Sequence, residues 1–110
     1  MSMLGDLSGM AGLMKKFGDI QKNMKQVREE LPKIEVTGKD SNETVEVRVS
    51  GDFVLRSIRV SPALAASGSA EALQNAVMEA VNQALTQAKS ESAKKISEAA
   101  GGLPIPGLTP

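Results

Sequence analysis

The chain has 110 residues, with 13 Lys and Arg balanced by 13 Asp and Glu, no Cys, no His, and only Phe17 and Phe53 as aromatics. Without Cys or His, disulfides, thiol chemistry, Cys/His zinc sites and imidazole general bases are excluded, which removes most enzyme mechanisms. The length fits one small domain with a core of Val, Leu, Ile, Met and Ala, so burial against a second chain is attractive, and any polyanion or membrane surface must be met by local charge.

Residues 1–9, MSMLGDLSG, hold no sustained period and read as a loose arm. No basic segment with a long apolar run resembles a signal peptide, and no stretch approaches the roughly 18 apolar residues of a membrane span, so a cytoplasmic protein is expected. The small-residue spacing of Gly5, Gly9 and Gly12 is set aside as a membrane-helix signal for the same reason. From Met10, apolar residues recur at Leu13, Phe17, Ile20, Met24, Val27 and Leu31. Steps of three and four make a coiled-coil-like seam on a helix that Pro32 ends. Gly18 in its interior implies local bending or close approach of a neighbour.

After Pro32 the period becomes two. Ile34 and Val36, then Val45, Val47 and Val49, alternate with polar residues and predict two half-buried strands joined by the turn Lys39-Asp40-Ser41-Asn42. Gly51-Asp52 signals a tight hairpin into a third strand, where Val54, Ile58 and Val60 are expected on one face and Phe53, Leu55 and Arg59 on the other. Phe53 and Leu55 are candidates to meet a partner's surface. Ser61-Pro62 ends the strand, and Ser69 is the expected cap of a second helix over 70–99, with Glu71 favoured in its first turn. Leu73, Ala76, Val77, Ala80, Val81, Ala84, Leu85 and Ala88 form its apolar face, and so much alanine permits close approach to the sheet. Beyond Ala88 this face thins, so the last turns are expected to project. The tail from Gly101, rich in Gly and Pro, is expected to be extended or disordered.

The fold expected is therefore α+β: an α-β-β-β-α protomer in which a three-stranded antiparallel meander is flanked by two long helices. One domain occupies residues 10–100, between the arm of 1–9 and the tail of 101–110. The seam of the first helix is too long for the sheet to cover, so part of it should pack on the second helix or on a copy of itself.

Catalytic signals do not rise above background. Ser92-x-x-Lys95 lies on a polar helix, and the adjacent carboxylates Glu29 and Glu30 diverge by about 100° and cannot share a site. Neither a cofactor nor a small-molecule substrate is expected. The basic residues carry more. Lys15, Lys16, Lys22, Lys25 and Arg28 surround the seam, and Lys22 lies within about 20° and Lys25 within about 80° of Lys15 on the helical wheel. Lys89, Lys94 and Lys95 form a second cluster on the later helix. Such rows either keep a helix soluble or meet phosphates without reading bases. With neither Trp nor Tyr to stack on single strands, the nucleic acid expected is double-stranded DNA.

The ordered series GLMKKFGDIQKNMKQ, IEVTG, VEVRVSG, IRVSP, AVNQA and GGLPIPG resembles the YbaB/EbfC family of small bacterial nucleoid-associated proteins over essentially the whole chain. The matching positions are Leu13, Met14 and Lys15; Val36 and Gly38; Val45, Val47, Val49 and Gly51; Ile58, Val60 and Pro62; and Ala80, Asn82 and Ala84. The resemblance implies a tweezer-like homodimer that binds DNA, alters its conformation and associates with the nucleoid, using residues of both helices. Among those residues it carries directly to Lys15; extension to the neighbouring basic residues is inference. Lys39-Asp40-Ser41-Asn42-Glu43 stands where the family usually has a glycine-rich turn. The alternative is a dimeric protein-protein interaction module, gripping a partner through seam residues such as Phe17 and Met24, with incidental DNA contact.

Overall fold

The computed structural model describes residues 3–101, with side chains described from Gly9 onward. Its elements are α1 (Met3–Glu30), a 3-10 turn (Leu31–Lys33), β1 (Glu35–Lys39), β2 (Val45–Ser50), β3 (Leu55–Val60), α2 (Pro62–Ala66) and α3 (Ala70–Ala99). The strands lie side by side in chain order, each antiparallel to the next, which is the expected α+β meander. Residues 1–2 and 102–110, which include most of the tail, lie outside the described residues.

α1 begins at Met3, seven residues before the start expected from its seam, so 3–9 is helical backbone. Its end follows from Pro32, which cannot continue an α-helix and sits inside the tighter 3-10 turn. The sequence reading stops β3 at Ser61-Pro62, and the structure adds a short helix there. The Leu64 amide donates to Ser61 Oγ at 3.1 Å while Pro62 opens α2, so the residues that end a strand also start a helix. Ser69 caps α3 as expected, accepting from the Ala72 amide at 3.1 Å.

The core lies between α3 and one face of the sheet. Pairing sets Val36 opposite Val49 and Gly38 opposite Val47, and Val45, Val47 and Val49 are each at most 1% exposed. Ala76, Ala80, Ala84 and Ala88, four residues apart, are buried over them. A Cβ at Gly38 would collide with the Ala80 carbonyl oxygen and stand 2.5 Å from the Ala84 backbone nitrogen. Glycine and alanine facing each other therefore let the helix backbone rest on the strand.

Side chains of α3 also hold the turn between β1 and β2. Glu79 accepts from the Ser41 amide at 2.8 Å, and Gln83 accepts from the Lys39 amide. Asp40 is buried and accepts from the Thr44 hydroxyl at 2.6 Å and from the Thr44 and Val45 amides at 2.7 Å each. Burial pushes its carboxyl up, but these hydrogen bonds outweigh it and hold the group below its ordinary value.

One expectation about the third strand is corrected, while Gly51-Asp52 forms the expected hairpin turn. Leu55 lies on the same face as Ile58 and Val60, because a bulge admits Arg56 as an extra residue and Leu55 pairs with Val49. The left-handed residue of the second hairpin is Phe53, at φ 66°, while Gly51 accommodates the Leu31 carbonyl, 2.7 Å from where a Cβ would lie.

The last turns of α3 run past the sheet as expected, but they are not bare, because α1 packs on them. Ser92, Ala99 and Ala100 are buried, Val27 of α1 is 6% exposed, and Asn23 Nδ2 donates to the Ala99 carbonyl at 3.4 Å. Small residues on α3 thus receive the C-terminal half of the α1 seam. Among the described residues nothing covers the N-terminal half, and nothing lies within 4 Å of a Cβ at Gly18. The molecule measures 77 × 23 × 15 Å, with a radius of gyration of 21.0 Å. A compact chain of this length has about 13 Å.

Gly38→Ala is expected to destabilise the fold by roughly 1–3 kcal/mol, lowering Tm by several degrees in a calorimetric scan. For Asp40 the depressed native pKa means that its contribution is present above the unfolded value of about 3.9 and is lost as pH falls through the native value. Asp40→Asn should therefore lower Tm at pH 7, and the deficit should shrink in urea titrations carried progressively below about pH 4.

Candidate nucleic-acid interface

Lys15, Lys16, Lys22, Lys25 and Arg28 lie on α1, and Lys89, Lys94 and Lys95 lie on α3. All are exposed except Lys95, which is half-buried. Among the described residues the ion pairs are Arg48–Glu35, at 3.3 Å, and Lys39–Glu43, at 3.9 Å, so none of these eight side chains is in an ion pair, although Asp19 lies one turn from Lys15 and Lys22 and Glu29 one turn from Lys25.

Helix geometry sorts them. Ile20, Met24 and Val27 mark the face of α1 turned toward α3. Lys15 and Lys22 stand roughly 145–165° from that face and Lys25 about 135°, while Lys16 and Arg28 flank the seam about 45° and about 75° to either side. Lys15, Lys22 and Lys25 form an outward row about 15 Å long. A duplex of that length carries about nine phosphate charges, so a short stretch of DNA meets the row with charge to spare.

On α3 the cluster is dispersed. Relative to the stripe of Ala88, Ser92 and Ala99, Lys94 faces away and Lys89 and Lys95 flank opposite sides, with Glu91 and Glu98 between them. Packing of Asn23 beside Ala99 nevertheless brings this end of α3 level with Lys22, Lys25 and Arg28. The structure therefore gathers one linear row on α1 and sets the α3 lysines beside it as separate charges.

Two further groups are exposed, of which the sequence reading had singled out only Leu55, as a residue to meet a partner's surface. Arg56 and Arg59 are exposed on β3, where Arg56 donates to the Pro32 carbonyl at 3.5 Å. The other is the bare face of β3. α3 covers β1 and β2, leaving Leu55, Ile58 and Val60 at 47%, 44% and 36% exposed beside the half-buried Val77, Val81 and Leu85. Alternation flags these residues as apolar, but only the path of α3 leaves them open.

A shallow cleft lined by Asp40, Asn42, Thr44, Leu64, Asn75 and Glu79 adds no chemistry, because Asp40 and Glu79 are already occupied by the turn. Among the described residues no cluster of three potential metal ligands occurs, and no helix is long and apolar enough to cross a membrane.

Comparison with known proteins agrees with this architecture. A sequence model of the YbaB/EbfC DNA-binding family matches residues 6–103. A nucleoid-associated protein of Polynucleobacter necessarius is 35% identical over 89% of this chain and 90% of its own length. One from Afipia carboxidovorans is 29% identical over 93% of this chain and 97% of its own. The crystal structure of an uncharacterized protein from Helicobacter pylori has the same fold, with a TM-score of 0.59 and 20% identity over 71% of this chain and 90% of that one.

Proposed function

Because the chain belongs to the YbaB/EbfC DNA-binding family, we propose that it is a nucleoid-associated protein that grips duplex DNA through backbone phosphates, with low sequence specificity, and alters its conformation. The observation that carries this reading is the row of Lys15, Lys22 and Lys25, none of them in an ion pair, on the outer face of a projecting helix. Rigidly spaced lysines meet phosphates as point charges, and no bidentate readout of bases follows from them. Lys16, Arg28, Lys89, Lys94 and Lys95 supplement the row from its flanks.

The working unit in this reading is a homodimer closed through β3. Among the described residues its outer edge is unpaired, and Leu55, Ile58 and Val60 extend the core face beyond the reach of α3. A bare apolar edge of this kind is a site for strand pairing, and a two-fold copy satisfies it without leaving another edge open to growth. The dimer places two lysine rows on one DNA molecule.

A second reading, a module that grips another protein, is favoured by the exposed stripe of Met10, Leu13, Met14 and Phe17. Salt dependence separates the two. With three lysines from each protomer, anisotropy titrations of a random duplex should lose about 10³ in affinity between 50 and 200 mM salt. Changing Lys15, Lys22 and Lys25 together to Glu should abolish binding while the solution mass stays that of the parent; undiminished affinity would refute the assignment. Ile58→Asp is expected to give monomers by light scattering and to weaken DNA binding, while a dimer that persists would place the interface elsewhere.

A further inference from the structure

The covered part of the α1 seam ends where α3 ends. Val27 is buried and Ile20 and Met24 are half-buried, but Phe17, Met14, Leu13 and Met10 are 61%, 71%, 55% and 60% exposed. They form a continuous stripe about 10 Å long. The same stretch contains Gly9, Gly12 and Gly18, which disfavour a helix relative to Ala and here meet no neighbour within 4 Å of a Cβ. A helix of this composition depends on something covering its apolar side.

Two contacts show which way the chain is heading as α3 finishes. Gly38 lies against Ala80 and Ala84, and Asn23 lies against Ala99, so α3 runs antiparallel to the direction from 23 to 38. A chain leaving α3 therefore departs toward the N-terminal end of α1. Gly101, at φ +72°, closes the helix with its amide donating to the Glu98 carbonyl at 3.1 Å. The residues that follow, Gly102-Leu103-Pro104-Ile105-Pro106-Gly107-Leu108-Thr109-Pro110, include no charged side chain and three large apolar ones.

We propose that residues 102–110 lie along the N-terminal half of α1 of the same chain, with Leu103, Ile105 and Leu108 covering Phe17, Leu13, Met14 and Met10. The reach agrees. Proline-rich chain advances about 3.1 Å per residue, giving roughly 28 Å for nine residues, and the path along α1 from Asn23 to Met10 is about 20 Å. Prolines also restrict the segment before it docks, which lowers the entropy lost on ordering it. The brace leaves the lysine row open, since Lys15 and Lys22 lie across the helix from Leu13 and Phe17 and Lys25 lies about 12 Å beyond Phe17 along the axis.

The absence of native cysteine makes the test direct. Oxidation of the full chain carrying Leu13→Cys and Ile105→Cys should form an intrachain disulfide, running at single-chain mass on a non-reducing denaturing gel. Ala11→Cys with Ile105→Cys, at the same level but on the opposite face, should form it at least ten-fold more slowly. Equal rates for the two pairs, or an interchain bond in the first, would overturn the proposal. So would Leu13→Cys alone cross-linking to a second copy faster than the pair closes. In hydrogen exchange, replacing Leu103, Ile105 and Leu108 together by Ser should speed α1 amides 9–18 at least ten-fold while β2 is unchanged; unaltered α1 exchange would overturn it.

Discussion

Everything in this molecule depends on the contact between Gly38 and the alanine stripe of α3. The helix backbone sits so close to β1 that a single Cβ on the strand would enter the space of the Ala80 carbonyl and the Ala84 amide. Close approach brings Val36, Val45, Val47 and Val49 out of water using small residues on the helix side. A core of valine and alanine is thin, and each fully buried valine contributes roughly 1.5–3 kcal/mol. Tying the β1–β2 turn to α3 through Glu79 and Gln83 fixes the position of the helix along the sheet as well as its distance from it.

That geometry also creates the open surfaces. A helix seated over β1 and β2 cannot cover β3, so the apolar residues of the third strand stay exposed although they continue the pattern of the second. Because α3 runs past the sheet, its last turns receive the C-terminal half of the α1 seam and leave the other half bare. The elongated shape follows from the same cause, since α1 meets the far end of α3 and does not fold back over the sheet. A neutral chain thereby presents a local positive row. Seven of the thirteen acids lie between Glu29 and Asp52, while the first 28 residues hold Lys15, Lys16, Lys22, Lys25 and Arg28 against Asp6 and Asp19.

The types and order of the main elements were determined by the sequence itself, for local reasons. A three-four apolar spacing ending at Pro32, strict alternation through Val45, Val47 and Val49, and the caps Ser69 and Gly101 depend on neighbours within a few residues. The same periodicity placed the lysine row on the outer face of α1, because angular position on a helix follows from residue number. Glycine at 38 and alanine every fourth residue in α3 made close packing legible too. The YbaB/EbfC resemblance was visible in the ordered series of short motifs, and the family match spans residues 6–103.

Only the tertiary structure decided what covers what. The bulge at Arg56 moved Leu55 onto the core face with Ile58 and Val60, a one-residue shift that strict alternation cannot reveal because the extra residue reverses the facing of what lies on one side of it. α1 starts at Met3 although its first turns lack the seam, and Ser61-Pro62 turned out to begin a helix as well as end a strand. The half of the α1 seam that meets α3, and the strand that α3 leaves bare, were settled by the placement of one helix relative to another. Such placement depends on contacts between residues 23 and 99 or 38 and 80, and no local pattern encodes a distance across so much chain.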